Sequence, residues 1–108
     1  MIADAKARHF ATFRVPVHHP ALAGHFPGNP IVPAVVVLDA VISAAEDCLG
    51  TQVHVHGMPQ AKFLAPLLPD ETARIELAVD GPLLVFGVYR GDATIAKGTL
   101  SITAGAAS

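Results

Sequence analysis

The chain has 108 residues and a formal net charge of −2 at pH 7, with no basic block, which argues against a nucleic-acid partner. Hydrophobic residues make up 52% of it and charged residues 15%, where globular chains usually carry about 25% charge. One domain spanning residues 1–108 is expected, with apolar surface left over that a partner subunit would cover.

The opening MIADAKARHF has no apolar h-region, so no secretion signal is read and a cytoplasmic location is expected. Residues 9–17 alternate as a strand, with Phe13, Val15 and Val17 on one face and Pro16 marking an edge or an end. Proline and glycine make 18–32 a loop. A helix is expected over 33–49. Pro33 suits the first helical position, where a missing N–H costs nothing, and Gly50 is a stop signal. Val35, Leu38, Ile42, Ala45 and Leu49 recur at helical spacing, while Val36, Val37 and Val41 make the first half apolar on nearly every side, the mark of a buried helix. The run from Ile31 to Leu38 ends at Asp39, far short of the roughly 20 residues a membrane span needs.

Strands follow near 52–56, 60–66, 72–79, 83–90 and 94–103. Asp80-Gly81 and Arg90-Gly91-Asp92 are hairpin signals. One strand, one helix and an antiparallel meander give an α+β domain with the sheet wrapped around the helix.

Asp39 carries the most chemical information. In the most apolar part of the chain, an aspartate is expected to be buried, and desolvation would raise its pKa towards that of a usable acid. His25 lies in the loop GHFPGNP, and an unperturbed histidine titrates near neutrality and can serve as a base. The N–H groups of Ala34 and Val35 lack partners within the helix and lie at its positive end, where they can hold a developing oxyanion. A base, an acid and oxyanion donors this close in sequence point to proton abstraction next to a carbonyl. Each also has a plainer reading: a loop histidine is usually structural or solvated, and a buried aspartate is usually a hydrogen-bonded core residue.

The segment GHFPGNPIVPAVVVLDAV resembles the active-site segment of the hot-dog-fold 3-hydroxyacyl-[acyl-carrier-protein] dehydratases (FabA/FabZ-like). His25, Phe26, Pro27, Gly28, Pro30 and Pro33 match the family pattern His-Phe-Pro-Gly-x-Pro-φ-φ-Pro-Gly, with φ an apolar residue, and Asp39 stands where the family carries its Glu or Asp. KFLAPLLPDE, from Lys62 to Glu71, is similar to a second family motif, a strand and turn. The resemblance implies a hot-dog homodimer, with His25 of one chain meeting Asp39 of the other. The implied reaction is reversible dehydration of a 3-hydroxyacyl thioester, in fatty-acid or polyene-type acyl synthesis. His25 would take the C2 proton and Asp39 would protonate the leaving hydroxyl. Phe26, Pro33, Ala34 and Val35 would contact substrate, and backbone N–H groups near Ala34 would polarise the thioester carbonyl. An acyl carrier protein is the implied partner, and no metal or organic cofactor is implied. Ala34 replaces a family glycine, and Val37 stands where many members have glutamine or glycine. Asp39 rather than Glu is the variant of the subfamily that also isomerises the double bond.

Two other readings come from different classes: a hot-dog thioesterase, and a non-catalytic acyl-thioester-binding subunit spoiled at Ala34 or Val37. The histidine-led motif argues against the first, and the presence of both His25 and Asp39 against the second. His54 and His56 alternate on one strand and could form half of a metal site with His9, His18 or His19, although a solvated strand face is the commoner arrangement. Lys62, Arg14, Arg90 and Lys97 are candidate contacts for an acidic carrier surface. Ser43 lacks a nucleophile-elbow context. Cys48, the single cysteine, permits no internal disulfide and reads as a small core residue.

Overall fold

The computed structural model describes residues 8–19 and 31–105. His25 and Phe26 lie outside the described residues. In chain order the elements are β1 (His9–Arg14), α1 (Ala34–Leu49), β2 (Val53–Phe63), β3 (Thr72–Asp80), β4 (Leu83–Arg90) and β5 (Ala93–Ala104). The strands form one antiparallel sheet in the order β1-β3-β4-β5-β2, with the helix packed against it.

Local chemistry accounts for most boundaries. Pro33 is the helix N-cap at φ −62°, ψ 149°, and Gly50 ends the helix in the left-handed region at φ 70°, its N–H bonded to the Glu46 carbonyl at 2.8 Å. Gly81 and Gly91, at φ 60° and 57°, open the two-residue loops joining β3 to β4 and β4 to β5, as tight hairpins require. The first strand stops at Arg14, three residues short of the expected end, because Pro16 sits in a turn closed by the His19 N–H on its carbonyl. Where two strands were expected at 52–56 and 60–66, a single strand runs from Val53 to Phe63. Gly57 and Pro59 do not break it but shift its register on β5 twice. Both are tolerated because β2 is an edge strand, whose outer N–H groups need no partner in the sheet.

The core lies between the helix and one face of the sheet. Ile75 pairs with Val88, Leu77 with Phe86 and Val79 with Leu84, and all but partly buried Val79 are buried. From the helix, Val37, Val41, Ala44 and Ala45 are buried. Of the residues that recur at helical spacing, Ala45 is buried and Leu38, Ile42 and Leu49 pack partly buried against the core. Val35 is 62% exposed and Cys48 is exposed, so neither is a core residue of the single chain. Asp39 is exposed too, against the expectation of burial. A helix apolar on nearly every side has no single preferred face, so the sheet takes one stripe and leaves another in solvent. Among the described residues no helix is long and apolar enough to cross a membrane.

Candidate functional site

An apolar cavity of about 390 Å³ opens at the start of α1. The helix contributes Pro33, Ala34 and Val37, the incoming chain Ile31 and Val32, and the loop after β2 Leu64 to Leu67. Phe63, at the end of β2, and Ile95 complete the lining, and Ile95 is placed there by a bulge. Val88 pairs with Ala96 and Tyr89 with Thr94, so Ile95 is the extra residue on β5. Its carbonyl accepts the N–H groups of Leu64 at 2.8 Å and Ala65 at 3.4 Å, which moors the loop to the sheet.

The helix start beside this cavity is electrostatically bare. Pro33 makes no side-chain cap, and the first turn holds no acidic residue. The Pro33 carbonyl accepts the N–H groups of Val36 at 3.0 Å and Val37 at 3.3 Å. The N–H groups of Ala34 and Val35 therefore have no acceptor within the helix, at an end that carries about half a positive charge. A carbonyl oxygen entering here would meet donors as its negative charge grows.

Pro33 and Ala34 line the cavity, while the Val35 side chain points out into solvent. Asp39 does not line the cavity of its own chain. It lies roughly 200° around the helix from Val37, on the same stripe as Val35 one turn earlier. The acid and the cavity thus sit on different sides of one helix, and a single chain does not bring them together.

The loop from Leu64 to Glu71 supplies a cavity wall that the sequence had marked only as a matching motif. It is fixed from several directions. The Val32 N–H donates to the Leu67 carbonyl at 2.8 Å, joining the loop to the segment that enters the helix. The turn at 68–71 is closed by the Glu71 N–H on the Leu68 carbonyl and by the Leu68 N–H on Glu71 Oε1. Asp70 takes the left-handed φ of 67° there. Its N–H bonds to the Val15 carbonyl and its carboxylate pairs with Arg14 at 3.1 Å.

Two of the four cations expected to meet a carrier are thus engaged within the chain. Arg14 holds Asp70, and Arg90 bonds to the Pro66 carbonyl and Glu71. Lys62 and Lys97 are exposed and lie directly opposite each other on β2 and β5. A groove of about 460 Å³ on the sheet, lined in part by Lys97, Arg8 and Glu76, is polar and brings no acid–base pair together. Its Glu76 already faces Arg8 at 3.7 Å and Arg74 at 3.5 Å. His56 bonds through Nε2 to the Thr103 hydroxyl, and no group of three metal-ligating side chains forms among the described residues.

A family model described as ApeI-like, ApeI dehydratase, matches residues 2–99. A 3-hydroxyacyl-[acyl-carrier-protein] dehydratase FabZ from Thermus thermophilus is 33% identical over 97 residues, covering 79% of this chain and 63% of that protein. The chain thus spans less than two-thirds of that relative's length. Among solved structures, the dehydratase heterocomplex ApeI:P from Xenorhabdus doucetiae matches with a TM-score of 0.80 at 24% identity, over 92% of this chain and 89% of that one. A probable thioesterase from Bartonella henselae matches with a TM-score of 0.71 at 18% identity, over 91% and 90%. The two structures establish the fold, which is hot-dog-like, and a fold that hosts both chemistries does not choose between them.

Proposed function

The chain belongs to the ApeI-like dehydratase family, and from that we propose that it catalyses reversible loss of water from a 3-hydroxyacyl thioester to give a trans-2-enoyl thioester. The substrate would be held on an acyl carrier protein, in cytoplasmic fatty-acid or polyene-type acyl synthesis. The observation that carries the reading is the apolar cavity at an uncapped helix start, with its Ala34 N–H free to meet a thioester carbonyl. An acyl chain suits the lining, and a carbonyl suits the mouth.

In this mechanism the thioester oxygen bonds to the backbone N–H groups near Ala34, which acidifies the C2 proton. His25 takes that proton. The electron pair forms the C2=C3 bond, and the C3–O bond breaks as Asp39 protonates the leaving hydroxyl, releasing water. The proton on His25 then returns to Asp39 through solvent, so the cycle balances without a cofactor.

Asp39 reaches such a substrate only if a second chain presents it, so the working unit is a homodimer in which each cavity meets the other chain's acid. Two features favour this. The outer edge of β2 is unpaired in the sheet, and Val55, Met58 and Phe63 are exposed along it. On the Asp39 side of the helix Val35 is exposed to water as well. Val35→Glu is expected to shift the protein to monomers in sedimentation and to remove turnover, while far-UV circular dichroism stays that of a folded chain. A dimer that survives with full activity would rule out this helix face as the contact.

The deciding test is hydration and dehydration of short and medium 3-hydroxyacyl and trans-2-enoyl thioesters, followed by mass and enoyl absorbance. Water exchange without loss of thiol supports the dehydratase. Release of free acid and thiol would make the protein a thioesterase, and binding without either reaction would make it an acyl-thioester-binding subunit.

A further inference from the structure

We propose that Arg90 is a positioning residue that, with Glu71, holds the Leu64–Leu67 wall of the cavity and so sets affinity for the acyl chain. Its place in the strand explains why an arginine reaches this loop. Leu84, Phe86 and Val88 of β4 are buried in the core, and alternation puts residue 90 on that same face. At the strand end the core gives way to the loop, and the arginine meets backbone instead of side chains. Arg90 Nη1 donates to the Pro66 carbonyl at 2.6 Å and to Glu71 Oε1 at 3.2 Å.

Glu71 extends the tie. The oxygen that receives Arg90 also accepts the Leu68 N–H at 2.8 Å. One guanidinium and one carboxylate therefore fix the backbone on both sides of Leu67, whose side chain is 2% exposed and lines the cavity. The Leu67 carbonyl in turn accepts the Val32 N–H, which adds a backbone tie to the same wall. The Arg90 and Glu71 side chains are 32% and 33% exposed, so solvent screens their charge less than that of a free surface pair. A charge-assisted bond to a carbonyl is also stronger than a neutral one. Among the described residues, no hydrogen bond of Arg90 or Glu71 reaches Asp39 or the N–H groups of Ala34 and Val35, so the proposal places the effect of this tie on binding of the acyl chain.

The acyl-chain readout rests on the proposed dehydratase reading, so the test separates the two. Arg90→Met, Arg90→Lys and Glu71→Gln are compared with wild type in the full chain. Four quantities are measured: kcat and KM on a medium-chain 3-hydroxyacyl thioester, Kd for an unreactive saturated acyl-pantetheine thioether, and Tm. Arg90→Met should raise KM and the thioether Kd about tenfold with kcat within about threefold. Arg90→Lys should recover most of that loss, because its ammonium can still donate to Pro66, and Glu71→Gln should move both constants the same way by a smaller factor. A lowered Tm with unchanged Kd and KM, or an equal fall in kcat and kcat/KM, overturns the proposal. Should Arg90→Met fail to fold, the lysine and glutamine variants are judged by the same two constants. Wild type that binds the thioether but turns over no thioester refutes the dehydratase reading alone, since the effect on Kd still decides the role of Arg90.

Discussion

Asp39→Asn is expected to lower dehydration and hydration by about a hundredfold or more, the range for loss of a positioned general acid, with little change in stability. The stability half follows from the exposure of Asp39 in the single chain, where no buried bond depends on its charge. Asparagine keeps the shape and can still hydrogen-bond, but it has no proton to give to a leaving hydroxyl. The activity half depends on assembly. Exposed in one chain and away from its cavity, the carboxylate meets a substrate only when a second chain presents it. Activity should therefore fall as the protein is diluted below the dissociation constant of the dimer. Mixing Asp39→Asn chains with His25→Ala chains should restore part of the turnover, because a heterodimer then holds one site with both groups intact. Retention of more than half the wild-type rate by Asp39→Asn would take the acid role away from this residue. Failure of the mixture to recover any activity, when both variants are shown to form mixed dimers, would place His25 and Asp39 of the same chain in one site.

The fold was legible in the sequence wherever a boundary rests on backbone chemistry. Pro33 and Gly50 bracket the helix, and Gly81 and Gly91 turn the hairpins, because proline and glycine restrict or release φ whatever surrounds them. Legibility failed where tertiary position decides. Gly57 and Pro59 read as a break because nothing local says that β2 lies at an edge, where both are harmless. The face the helix turns to the core stayed open in the sequence because Val35, Val36, Val37, Leu38 and Val41 offer several stripes of similar apolarity, and only the sheet selects Val37 and Val41. The burial expected for Asp39 had the same root. The motif matched the matching residues to a family and so led to Pro33 and Ala34, both of which line the cavity. The cavity wall from Leu64 to Leu67 was less visible. Its position comes from ties to Ile95, Val32 and Arg90, all distant in sequence.

Gly98→Ala is expected to be among the most damaging single-methyl changes in the sheet. A Cβ at position 98 would stand 2.3 Å from the Gln60 carbonyl oxygen and 2.8 Å from Ala61 Cα. Both are backbone atoms of β2, so no side chain can swing aside to make room. The strand must move as a whole, and it carries its exposed edge and the start of the cavity loop with it. Overpacking of this kind costs about 1–3 kcal/mol, occasionally more, and each kcal/mol lowers Tm by about 4–8 °C in a domain of about this size. Two other glycines serve as controls. A Cβ at Gly57 meets nothing within 4 Å, so Gly57→Ala should stay within about 0.5 kcal/mol of wild type. At Gly87 the clash is with the Tyr89 hydroxyl and ring, the free end of a side chain that can rotate away from its place under Arg74. Gly87→Ala should therefore be milder than Gly98→Ala, although the distance to the nearest atom is the same. Thermal unfolding of the three variants tests whether the kind of atom met, rather than the gap to it, governs the cost. Equal losses at Gly87 and Gly98 would show that β2 yields as readily as a tyrosine side chain and that the close crossing at Gly98 does not hold the edge strand in place.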